Sequence, residues 1–167
     1  MKKTALVTGG AGGLGGVTSR LLADNGWHVF VADFDDNALN EFSDNKTFTP
    51  LKIDVTQTES VRNAYQQVCN KSDTLNAIVN FAGILAVGSM IEIEESALQR
   101  VLDVNVMGTF RVNKVFFPLL EQGRSRIVNI SSETGWQSGA PFNGAYAASK
   151  HATVSYTHLT LPTKCSG

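Results

Sequence analysis

Cysteine, charge and long hydrophobic runs are all scarce in this chain, and each scarcity closes a class of protein. There are two cysteines in 167 residues. Cys69 and Cys165 cannot build a disulfide framework, so a reducing compartment is the expectation. Cys69 falls in a helical pattern with no paired histidine motif, which reads as a partly buried thiol and not a nucleophile. The opening "MKKTALVTGG" has an apolar run only from Ala5 to Val7 before it breaks into glycines, too short for a signal peptide. No stretch is long enough to span a bilayer. Charged residues make up 17% and the net charge is −1, with no basic stripe and no acidic block. That argues against a nucleic-acid partner and against a solvating tail. His28, His151 and His158 have no partners at metal-ligand spacing, and there is no metal motif. The chain is expected to be soluble, cytoplasmic and free of membrane contact.

What is present points to a packed core. Hydrophobic residues make up 43%, and the length suits one domain with one core. Apolar runs alternate with helical patterns. "TALVTG" (Thr4–Gly9) reads as a buried strand and a tight turn. Leu14, Val17, Leu21 and Leu22 then recur at helical spacing, with Gly26 as the C-terminal stop. Strands follow at Trp27–Asp33, Phe48–Val55, Leu75–Gly83 and Ser125–Ser132. Between them come a short helix capped by Asp35 or Asp36, a helix over Thr58–Asn70, and a long helical region from about Glu94 to Glu121. The face of the Thr58 helix is Val61, Ala64, Tyr65 and Val68. This alternation predicts a single α/β domain: a doubly wound parallel sheet of the Rossmann type, covered on both faces. A ligand should then sit at the carboxyl ends of the strands.

Glycine marks where. Six of the 15 glycines lie between Gly9 and Gly16, five of them in "TGGAGGLG" between the first strand and its helix. Such a loop lets backbone N–H groups approach a pyrophosphate at the positive end of a helix. Asp33 ends the second strand, where an acid in this fold takes the hydroxyls of an adenosine ribose and repels a 2′-phosphate. Neither Gly12 nor Phe34 offers a cation for such a phosphate. NAD is therefore expected over NADP.

Five motifs in order resemble the short-chain dehydrogenases/reductases, over about residues 1–153. "TGGAGGLG" matches their TGxxxGxG through Thr8, Gly9, Gly13 and Gly15. "NFAG" (Asn80–Gly83) resembles NNAG, with Phe81 for the usual second Asn. "NVMG" (Asn105–Gly108) resembles the motif carrying the helix Asn, "IVNISS" their fifth strand, and "YAASK" (Tyr146–Lys150) their YxxxK. The resemblance implies that Leu14 joins the glycine loop at the cofactor, that Asp54 contacts the adenine with Val55 beside it, and that Asn80, Ala82 and Gly83 line the cleft. It implies a catalytic set of Asn105, Ser132, Tyr146 and Lys150, with Lys150 also on the nicotinamide ribose and Asn105 holding a water in the proton relay. The family's Ser precedes its Tyr by 13 positions; Ser132 precedes Tyr146 by 14. Ser132 at the strand-end "SS" is the better match, Ser131 the lesser one, and Ser138 falls too far into the loop.

The pair Tyr146 and Lys150 makes chemical sense by itself, because residues four apart share a helix face. At ~4 Å and an effective dielectric of ~20, an ammonium stabilises a phenolate by about 4 kcal/mol, which suits a phenol to general acid–base work. Ser132 would hold the substrate oxygen near the phenol. Trp136, Pro141 and Phe142 would either wall the substrate cleft or pack the core. The expected activity is NAD-dependent hydride transfer to or from a small alcohol or ketone, with a homo-oligomeric parent. Two alternatives are a non-catalytic dinucleotide sensor and an inactive fragment of the dehydrogenase. The second arises from the end of the chain. Val154–Thr163 has the sequence obtained by translating a transposon-end adapter used in sequencing libraries, and Pro162 would stop any helix. Residues 154–167 are thus expected to be a non-native tail, with the native chain cut short near Thr153.

Overall fold

A computed structural model of the chain describes residues 2–121, 124–137 and 141–156. The apolar runs form five strands: β1 (Thr4–Thr8), β2 (His28–Asp33), β3 (Phe48–Lys52), β4 (Ala77–Asn80) and β5 (Arg126–Asn129). All pair in parallel in the order β3-β2-β1-β4-β5. The strands are one to five residues shorter than the apolar runs suggest. The helices are α1 (Gly13–Asp24), α2 (Asp36–Asn40), α3 (Thr58–Cys69), α4 (Glu95–Leu102), α5 (Thr109–Phe116) and α6 (Gly144–Ser155). A π-helical turn, Asp103–Gly108, joins α4 to α5 as one long helical run. No helix of the described residues is long and apolar enough to cross a membrane.

Side chains alternate across each strand, so the sheet builds two cores. Leu6, Phe30, Ala32 and Ile78 face the side covered by α3 and α5, where Val61, Ala64, Val68, Val112 and Phe116 complete a fully buried cluster. Val7, Val29, Val31 and Val79 face the other side, with Leu39, Phe42 and Leu22. The Thr58 helix buries the face its spacing marks out. Helix α1 does not: it turns Gly15, Gly16 and Ser19 to the sheet and leaves Leu14, Val17 and Leu21 exposed. Small residues let α1 approach closely; Ser19 reaches the Gly10 carbonyl at 2.9 Å. The helix stops where expected, with Gly26 at a φ of 82° just past Asn25. Of the two candidate caps for α2, Asp35 is the one used, accepting from the N–H groups of Asn37 and Ala38.

The chain runs outward from β1 to β3 and returns to place β4 on the other side of β1. The connections that leave the carboxyl ends of β1 and β4 therefore run to opposite faces of the sheet, which opens the crevice such sheets use for ligands. The glycine loop leaves β1 there, and Phe81–Gly83 leaves β4.

Candidate active site

The crevice continues into one cleft of about 1460 Å³. Its walls include Gly9, Gly13, Leu14, Gly15 and Asp33 at one end and Ser131, Ser132, Tyr146 and Lys150 at the other. Asp54, Val55, Ala82 and Gly83 lie along it. Residues spread over 140 positions of sequence thus share one space.

The loop is shaped by contacts a side chain would break. Gly9 has a φ of 63°, and a Cβ there would stand 2.8 Å from the Ala82 nitrogen. The turn after β1 is pressed against the segment after β4, which explains why both carry small residues. Asp33 anchors the same loop: one carboxylate oxygen accepts from the Ala11 N–H at 3.0 Å and the other from Asp35 N–H at 3.1 Å. A cation does reach this end, from β3 and not from the glycine loop or the residue after Asp33. Lys52, at the end of β3, lies 4.6 Å from the Phe34 ring, binds the Phe34 carbonyl and pairs with Asp36 at 2.7 Å. Asp54 turns inward on its own loop, accepting from the Thr56 N–H and hydroxyl at 2.9 and 2.7 Å.

Thr8 and Asn80 lie under the cleft and not in its wall; they are 1% and 4% exposed. The Thr8 hydroxyl donates to Asn80 Oδ1 at 3.2 Å, and Asn80 Nδ2 donates to Asn113 and Asn129 at 2.8 and 2.9 Å. This buried amide network ties β1, β4, β5 and α5 together at their cleft ends. Asn105 is also buried, in the π-helical turn. Its Oδ1 accepts from Ile84 N–H at 2.8 Å, its Nδ2 donates to the Ile84 carbonyl at 3.0 Å and to Ser149 Oγ at 2.9 Å, and its carbonyl accepts from Thr109.

Helix α6 carries Tyr146 and Lys150 on one face, with the Lys150 ammonium 5.5 Å from the Tyr146 ring. Lys150 is 6% exposed and donates to the Ile130 carbonyl at 2.8 Å; burial pushes its pKa below the ordinary lysine value. The two serines after β5 differ in what they have left to offer. The Ser131 hydroxyl donates to the Lys150 carbonyl at 3.0 Å, so its one hydrogen is committed. Ser132 Oγ instead accepts from the N–H and hydroxyl of Thr134, at 3.3 and 3.1 Å, which leaves its hydrogen to donate.

Other singled-out residues fall elsewhere. Trp136 and Phe142 are 81% and 60% exposed, in neither the core nor the cleft wall. His28 is half-buried on β2, edge-on to Phe30 and beside the Thr49 hydroxyl. Ser138, His158, Cys165 and the tail beyond Tyr156 lie outside the described residues; Val154 and Ser155 continue α6. Arg100 and Asp103 of the long helical run also line the cleft, and no sequence motif marks them.

Fold and site together define a doubly wound α/β domain in which a glycine loop, an acidic strand end and a Tyr/Lys helix share one cleft. The family model for short chain dehydrogenases matches residues 3–161. The chain is 32% identical over 160 residues to a 3-amino-tetrahydro-pyrrolizinone reductase of Xenorhabdus hominickii, covering 95% of this chain and 55% of that one. It is 31% identical over 166 residues to an (S)-acetoin-forming diacetyl reductase of Staphylococcus epidermidis, covering 94% and 63%. A short-chain dehydrogenase/reductase from Burkholderia phymatum, solved in complex with NAD, superposes with a TM-score of 0.87 at 30% identity, over 93% of this chain and 58% of that one. This chain belongs to the short-chain dehydrogenase family. It spans little more than half the length of the first of these relatives.

Proposed function

We propose that this chain is the coenzyme-binding and catalytic portion of an NAD-dependent oxidoreductase acting on a small alcohol or ketone. One observation carries the reading: Ser132, Tyr146 and Lys150 line the same cleft as the glycine loop and Asp33. The residues fit a dinucleotide. A Cβ at Gly12 or Gly13 would meet nothing within 4 Å, so the backbone there is bare to the cleft. The N-terminus of α1 starts at that point and supplies a positive field for a pyrophosphate. Asp33 takes the adenosine ribose hydroxyls and repels a 2′-phosphate, while Lys52, a cation at that end, is already paired with Asp36. That favours NAD over NADP. Asp54, Val55, Ala82 and Gly83 form the walls along the adenosine half. The bound NAD supplies or accepts the hydride.

The remaining chemistry belongs to the chain. Ser132 donates its hydroxyl hydrogen to the substrate oxygen and holds it at Tyr146. Tyr146 gives a proton to that oxygen in reduction and takes it in oxidation. The Lys150 ammonium beside the ring favours the phenolate at the moment the proton leaves. Because burial lowers the Lys150 pKa, that help should fade toward alkaline pH earlier than it would for an exposed lysine.

Both relatives described above are named as reductases, which makes NADH oxidation the first direction to assay, with diacetyl among the probes. Tyr146→Phe should cut turnover by roughly 10²-fold or more while NADH affinity stays within about twofold. Retained turnover would place the acid elsewhere.

A further inference from the structure

The cleft residues account for the chemistry, but they leave Ser149 unexplained. It lies between the proposed acid and its lysine, is 0% exposed and lines no part of the cleft. Its hydroxyl makes two bonds. It donates to the Tyr146 carbonyl at 2.7 Å, and it accepts from Asn105 Nδ2 at 2.9 Å. The first bond alone would be ordinary, since helical serines often bond back to a carbonyl one turn earlier. The second is not local: it spans 44 positions and reaches the π-helical turn. That turn interrupts the long helical run where Asn105 stands, and the same amide closes both hydrogen bonds to the Ile84 backbone. A continuous path therefore runs from the segment after β4, through Asn105 and Ser149, to the backbone of Tyr146.

We propose that Ser149 is a positioning residue that locks the Tyr146 turn of α6 to Asn105 and, through it, to the cleft wall at Ile84. Its importance for turnover rests on the role given to Tyr146 above; the lock itself does not. Alanine at this position is small enough for the site and removes only the hydroxyl. It leaves Asn105 Nδ2 one acceptor short and the Tyr146 carbonyl without its extra donor. The amide then holds Ile84 less firmly, and the Tyr146 ring loses its fixed height over the cleft.

Amide hydrogen exchange on the protein without cofactor tests the lock directly. Ser149→Ala should speed exchange at the Ile84 N–H and across Tyr146–Lys150 by about tenfold or more, while the Phe81 N–H, held by the Thr8 carbonyl at 2.9 Å, keeps its protection. If α6 loosens but Ile84 does not, Ser149 is only a local helix bond and the proposal fails. Asn105→Ala gives the reverse test, because it leaves the bond from Ser149 to Tyr146 in place. Exchange across Tyr146–Lys150 should still rise, and unchanged protection there would overturn the lock. In turnover with NADH and the best ketone probe, Ser149→Ala should lower kcat by about tenfold with KM nearly constant, and the double variant should fall no further than Asn105→Ala alone. Additive losses would mean the two residues act separately. A parent protein that shows the exchange coupling but no NADH turnover would defeat the functional reading and leave the lock standing.

Discussion

Two glycines three positions apart should respond to alanine in opposite ways. At Gly15 a Cβ would stand 2.1 Å from the Gly9 carbonyl oxygen and 2.9 Å from the Gly9 carbonyl carbon. Both atoms are backbone, in a loop already fixed by Gly9 against Ala82 and by Ala11 against Asp33. No rotamer change relieves the contact, so Gly15→Ala must displace the loop. Overpacking of this kind costs about 3 kcal/mol, which for a domain of this size lowers Tm by roughly 6–12 °C. At Gly12 the backbone is ordinary extended chain, φ −94° and ψ 162°, and a Cβ meets nothing within 4 Å. Alanine fits there and restricts the unfolded chain, so stability should stay level or rise by about 0.4–1 kcal/mol. Position 12 is one of the open positions of the TGxxxGxG pattern and its methyl would meet no protein atom, so NADH affinity should stay within about twofold, some 0.4 kcal/mol. Thermal unfolding by circular dichroism and an NADH fluorescence titration separate the two effects. Parental stability in Gly15→Ala would show that the loop is not pressed as described. A tenfold loss of affinity in Gly12→Ala would show that the open space at this position is filled by the cofactor itself.

NADH should bind more tightly than NADPH in parallel titrations, and Asp33→Ala should narrow the gap while also weakening NADH, because the Ala11 and Asp35 N–H groups lose their acceptor; equal affinities in the parent would overturn the preference. Ser132→Ala should reduce turnover by roughly 10²-fold at unchanged stability, whereas Ser131→Ala should cost about 1 kcal/mol in a urea titration by losing its bond to the Lys150 carbonyl; if only the Ser131 change harms turnover, the substrate-binding serine is the earlier one. Asn80→Ala deprives Thr8, Asn113 and Asn129 of a shared partner and should lower stability by about 3 kcal/mol or more; a urea midpoint within error of the parent would mean the network is not holding the strands. Burial first, and then Lys2 and Lys71, hold the His28 pKa below its ordinary 6.5. The unfolded chain therefore takes up this proton at a higher pH than the folded one, so stability should fall as pH drops below about 6.5 and level off below the folded pKa. His28→Gln should flatten that slope between about pH 5 and 7, and an unchanged slope would assign it to other groups.

Much of this protein is legible in its sequence alone. Val29–Ala32 and Ile78–Val79 are apolar on both faces, which suits a sheet covered on both sides, and the helical patterns between successive strands supply the crossovers that parallel pairing needs. The spacing of Tyr146 and Lys150 puts them on one helix face because the helical period demands it. The glycine loop and Asp33 were visible because the ends of strands in such a sheet are where chain and ligand meet. Tertiary structure decided the rest. Hydrophobic spacing shows that α1 is a helix, but the sheet takes the face that allows the closest approach, and that face is Gly15, Gly16 and Ser19. Ser131 and Ser132 are chemically identical and adjacent; only the position of the Lys150 carbonyl tells which hydroxyl is already committed. Thr8, Asn80 and Asn105 carry motif positions that read as cleft residues. Their hydrogen bonds instead close beneath it, because a buried amide must satisfy its donors and acceptors wherever the fold brings partners within reach.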